Sequence, residues 1–166
     1  MKDGAHRILL VEDNPGDVRL IKESLRMYEL EYILTHFENV DDAIRAVNAY
    51  GANGVGVPDL ILLDYNLPRG DAGDILAAAA KNPALAGVPK AVVTSSVAPK
   101  DMERSFQLGA HCFINKPPEL DAFLTEVGSK VAAMLRGEAV PTSPGAPPSD
   151  GSDSETHSDG LTAKPS

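Results

Sequence analysis

"PDLILLDYNLPRGD", residues 58–71, opens as a run suited only to burial and then stops on a carboxylate, Asp64. A short continuous apolar run bounded by turn residues reads as a strand covered on both faces, as in a parallel sheet. The strand is expected over Asp59–Asp64, with Asn66, Pro68 and Gly70 building the turn beyond it. A core strand that ends in an acid puts that acid at the rim of the sheet.

Similar runs flank it. Arg7–Glu12 reads as a buried strand, and Asn14-Pro15 then supplies a helix cap and a first-turn proline. Val18, Ile21, Leu25 and Tyr28 follow at helical spacing. Tyr32–Phe37 is a second strand and Val40–Tyr50 a helix stopped by Gly51. Asp74–Lys81 belongs to an alanine-rich helix ending before Pro83. Val88–Thr94 is a fourth strand, with Lys90 near its exposed start. Pro99 opens a helix carrying Met102 and Phe106 and closed by Gly109. His111–Lys116 is a fifth strand, and Leu120, Phe123, Leu124, Val127, Val131 and Met134 mark one face of a last helix. Strands alternating with helices imply a parallel sheet with helices on both faces.

The chain has 166 residues and a formal charge of −9, enough for one domain and an appendage. Residues 1–5 form a short extension, 6–136 the folded body, and 137–166 a Pro-, Ser-, Gly- and Asp-rich tail with too little to bury to offset its ordering entropy. The acidic excess argues against nucleic acid as a partner. No apolar leader or membrane-spanning run is visible, and the single Cys112 cannot form an internal disulfide, so a cytoplasmic protein is expected. His6, His36, His111 and His157 show no metal-ligand spacing.

Ligands of open parallel sheets sit beyond the carboxyl ends of the strands. At those ends stand Glu12-Asp13, Asp64, Thr94-Ser95-Ser96 and Lys116. Converging carboxylates repel, and a hard cation such as Mg²⁺ relieves the repulsion using oxygen ligands and retained water. Without thiolates or histidines at zinc spacing, zinc is disfavoured. A carboxylate such as Asp64 is able to act as a nucleophile toward phosphorus, with Lys116 pairing a phosphoryl oxygen and Thr94 donating a hydroxyl hydrogen bond. Taken singly, each residue has a bland role: helix-start acid, turn residue, surface lysine. Taken together, the bland account needs four coincidences along one sheet edge.

These residues resemble the receiver domain of bacterial two-component response regulators. The likeness is carried by "ILLVEDNPGD" (8–17), "PDLILLDYNLPRGD" (58–71), "AVVTSS" (91–96) and "INKP" (114–117), with steps of 30 residues from Asp64 to Thr94 and 22 from Thr94 to Lys116. "VEDNPGDVRLIKE" and "LILLDYNLPR" are more narrowly similar to stand-alone regulators paired with bacterial phytochromes. The resemblance implies an α/β, flavodoxin-like (βα)5 fold with strand order 2-1-3-4-5. It implies that Asp64 accepts a phosphoryl group from a sensor histidine kinase, such as a phytochrome. It also implies that Mg²⁺ is held by Asp13, Asp64 and the carbonyl of Asn66, with Glu12 acting through water. Thr94 and Phe113 match a switch pair, Ser95 a small residue leaving the site open, and Asn66 and Ser96 positions that tune phosphoryl lifetime. Lys116-Pro117 matches a site of cis peptides. A homodimer through helix four, strand five and helix five is the further expectation, with no membrane partner.

The sequence departs from the family pattern where Asp-Gly is replaced by Asp71-Ala72-Gly73, and Phe113 lacks a hydroxyl. The competing readings are an Mg²⁺-dependent phosphatase working through an aspartyl phosphate and a phosphate-sink or scaffold receiver. Against the phosphatase, Asn66 stands where a general acid is usual.

Overall fold

In a computed structural model, residues 4–52 and 54–138 are described. The sheet strands are β1 (His6–Val11), β2 (Tyr32–Phe37), β3 (Leu60–Leu63), β4 (Lys90–Thr94) and β5 (Cys112–Asn115). The helices are α1 (Pro15–Met27), α2 (Val40–Ala49), α3 (Ala72–Ala80), α4 (Pro99–Gln107) and α5 (Leu120–Leu135), with a single 3-10 turn at Pro83–Leu85. All sheet pairings are parallel, and the order is β2-β1-β3-β4-β5. A two-residue antiparallel ladder pairs Asn66 with Asp71 and Leu67 with Gly70.

Side chains alternate across each strand, so the sheet separates two cores. Leu9, Val11, Ile61, Leu63, Val92 and Phe113 pack with α2 and α3. Ile8, Leu10, Leu60, Leu62, Val93 and Cys112 pack with α1 and α5. The β3 run "LILL" is buried at every position, as a central parallel strand demands. On the second face α5 comes close to α1 at Gly128. A Cβ there would lie 2.6 Å from the Tyr28 ring, whose hydroxyl donates to the carbonyl of Thr125 at 3.2 Å.

Several local expectations are corrected. Strands β3, β4 and β5 are shorter than their apolar runs suggest, because the terminal residues leave the regular ladder, and β1 starts and ends one residue earlier. The ladder's hydrogen bonds nevertheless reach past those ends: the N–H of Glu12 donates to Phe37 O (3.0 Å), that of Asp64 to Val11 O (2.9 Å), and that of Lys116 to Thr94 O (2.8 Å). The alanine-rich helix starts earlier, at Ala72, because Asp71 caps it in a reciprocal box with Asp74. Lys90 is buried rather than exposed; its ammonium donates to the carbonyls of Leu85 (2.9 Å) and Val88 (2.8 Å). The Lys116-Pro117 bond is trans. Almost all of the tail, 139–166, and residues 1–3 of the N-terminal extension lie outside the described residues.

Candidate functional site

Each acid reaches the sheet edge for a local reason. β1 leads straight into Glu12 and Asp13. The chain then turns on Asn14, whose Oδ1 accepts the N–H groups of Gly16 (2.8 Å) and Asp17 (3.2 Å) and so starts α1. β3 delivers Asp64 from the adjacent strand. One carboxylate oxygen from each of Glu12, Asp13 and Asp64 lies within 4.8 Å of the others. Glu12 is buried, Asp64 half-buried and Asp13 exposed, so the cluster opens to solvent on one side.

Lys116 enters from the end of β5, its side chain only 7% exposed. Its ammonium donates to Glu12 Oε1 and Asp17 Oδ2, both at 2.7 Å, and to Asp64 Oδ2 at 3.4 Å. Burial pulls the Lys116 pKa down, but the bonds to Asp17 and Glu12 and the charges of Glu12 and Asp64 outweigh it, and the net shift is upward. For Glu12, burial dominates. Its carboxyl is pushed up to about 7 despite the hydrogen bond and charge of Lys116, with the Asp64 charge adding to the rise. Three hard oxygen donors with an open side suit a divalent cation that keeps its own waters.

Around this centre, Thr94 is buried and its Oγ1 accepts the N–H of Ser96 at 3.1 Å. The Ser96 hydroxyl donates to Asp101 Oδ2 of α4 at 2.6 Å, and its carbonyl accepts from Asn115 Nδ2 at 2.9 Å. Ser95 and Asn66 are exposed at the mouth. Phe113 is 2% exposed and points into the core beneath α3.

Asp17 escaped the sequence reading. Its signal was its place three residues after the Asn14 cap, where a first-turn side chain reaches back toward the sheet edge. The unusual Ala72-Gly73 pair also finds a reason. Ala72 is fully buried, with its N–H on Tyr65 O at 2.8 Å. A Cβ at Gly73 would come within 2.5–2.7 Å of the Arg104 guanidinium, which lies across the start of α3 toward Asp71 (3.5 Å) and Asp74 (3.9 Å). The missing Cβ at Gly73 thus leaves a slot in which Arg104 of α4 meets the start of α3.

A cavity of about 550 Å³ lies at the other end of the sheet, lined by His6, Asp59, Pro89, His111, Cys112 and Met134 among others. The cluster at Glu12, Asp13 and Asp64 is the only group of three metal-ligating side chains among the described residues. The metal-ligating acids thus cluster at the carboxyl end of the sheet and not in this cavity.

The profile of the response regulator receiver domain matches residues 8–128. The chain belongs to this family. As a receiver it is a signalling protein rather than a true enzyme, its sheet order is that of the flavodoxin-like receiver fold, and a histidine kinase is its implied partner. Response regulator Rcp1 of Synechocystis sp. is 34% identical over 114 residues, covering 68% of this chain and 78% of that protein. The crystal structure of the phosphorylated cyanobacterial phytochrome response regulator RcpA superimposes with a TM-score of 0.73 at 31% identity, covering 84% of this receiver chain and 100% of that one. The Mn²⁺-bound form of Rcp1 gives 0.70 at 30% identity, covering 82% and 99%. No helix among the described residues is long and apolar enough to cross a membrane.

Proposed function

We propose that this receiver is switched by phosphorylation of Asp64. An Asp64 carboxylate oxygen attacks the phosphorus of a phosphohistidine on a sensor kinase. The acyl O–P bond forms as the N–P bond breaks, and the kinase histidine leaves with its electron pair. The convergence of Glu12, Asp13 and Asp64 beside the Lys116 ammonium carries this reading. Asp13, Asp64 and the main-chain carbonyl of Asn66 would hold Mg²⁺, with Glu12 acting through water. The ion supplies charge neutralisation for the phosphoryl oxygens. Lys116 donates to one phosphoryl oxygen, and Thr94 turns its hydroxyl from Ser96 toward another. Movement of Thr94 lets the Phe113 ring repack. Ser95 keeps the mouth open, and Asn66 and Ser96 set access of water to the acyl phosphate.

The kinship with Rcp1 and RcpA favours a phytochrome-type kinase in the cytoplasm. Residues 6–136 act as the receiver and 137–166 as a solubilising tail. Output runs through protein contact, with α4, β5 and α5 as the homodimer face. Incubation with acetyl phosphate and Mg²⁺ should add one phosphoryl group by intact mass, and Asp64→Asn should add none. An Asp64→Asn protein that still gains the group would overturn the assignment.

A further inference from the structure

Lys116 has three N–H bonds to give, and their present distribution is uneven. Glu12 and Asp17 each take one at 2.7 Å, while Asp64 lies at 3.4 Å, beyond the usual range for a charge-assisted bond. Glu12 belongs to the carboxylate cluster that a divalent cation would engage, whereas Asp17 does not. Asp17 is also fixed from behind. It sits in the first turn of α1, its N–H is bound by Asn14 Oδ1, and α1 packs along α5.

We propose that Asp17 is a positioning residue for Lys116. It anchors the ammonium from the α1 side in both the metal-free and metal-bound protein, and it keeps one N–H of Lys116 directed at the Asp64 carboxylate and the phosphoryl group formed there. This rests on Asp64 being the phosphoacceptor. Without Asp17, the Lys116 ammonium swings fully onto Glu12 and Asp64. There it competes with the cation for the same oxygens.

The test is a double-mutant cycle in the full chain with Asp17→Asn, Lys116→Met and both together. Mg²⁺ affinity is measured by calorimetry without any phosphodonor, and the phosphorylation rate with acetyl phosphate. Asp17→Asn should weaken Mg²⁺ binding and slow phosphorylation by about threefold to tenfold each, the size usual for coupled neighbours. In the Lys116→Met background the same change should alter each by less than about twofold. Asp17→Glu, which restores the charge, should recover part of both effects. Equal effects of Asp17→Asn in the two backgrounds, or none in the otherwise unaltered chain, would overturn the proposal and leave Asp17 an ordinary helix-start acid. The calorimetric arm involves no phosphoryl transfer, so it stands or fails independently of the role given to Asp64.

Discussion

Lys116 and Lys90 lie at opposite ends of the same sheet, both nearly out of contact with water, and they are satisfied by opposite means. Lys116 meets three carboxylates, and its pKa rises. Lys90 meets two main-chain carbonyls, and burial pulls its pKa down. At the carboxyl end the charges are in surplus, with more acid than one ammonium can balance. At the amino end one charge is tolerated because carbonyl dipoles of a short turn fold back onto it. The first arrangement is poised to accept another cation, and the second has no use for one.

The sharpest way to break this contrast is to remove both lysines in turn. Lys116→Met leaves Glu12, Asp17 and Asp64 facing one another unpaired. In chelator at pH 8 it should cost about 3 kcal/mol of stability, the usual penalty for stranding buried charge. Urea unfolding with excess Mg²⁺ should recover much of that loss. Recovery no greater than for the unaltered protein would show that the ammonium and the cation do not share the same oxygens.

The pH dependence should be next in size. Glu12 rises from 4.5 unfolded to about 7 folded, so between those values the folded chain holds more protons. Its contribution therefore makes the metal-free protein less stable as pH climbs from about 4.5 to about 7, with a slope of at most about 1.4 kcal/mol per pH unit. Glu12→Gln should remove that component in denaturant titrations repeated across the range; an unchanged slope would place the titration elsewhere.

Lys90→Met should be the mildest change. It loses two hydrogen bonds but also a desolvated charge, so about 1 kcal/mol is expected, with no response to Mg²⁺. A loss matching that of Lys116→Met would erase the distinction between the two ends.

The same two lysines mark how far sequence reasoning reaches. The sheet and its edge were legible because buried parallel strands write themselves as apolar runs, and an acid or lysine closing such a run must fall on the rim. The meeting of Glu12, Asp13 and Asp64 follows from β1 and β3 being neighbours. The burial of Lys90 was not legible, since it depends on the carbonyls of Leu85 and Val88 turning onto its ammonium, a backbone course that these residue types do not announce. Asp17 was hidden for a milder reason: an acid in a first helical turn already has an adequate local explanation. The Ala72-Gly73 departure made sense only when Arg104, far along the chain in α4, came to rest above the missing Cβ. The trans Lys116-Pro117 bond departs from what the resemblance implies.

Helix α4 begins at Pro99 without a side-chain cap of its own. Its first turn is instead tied through Asp101 to the Ser96 hydroxyl, and the Ser96 N–H rests on Thr94 Oγ1. The start of this helix is therefore the far arm of a lever whose near arm is the strand end beside it. Ser96 thus bonds both the Thr94 side chain and Asp101, so one residue of the loop couples the end of β4 to the first turn of α4.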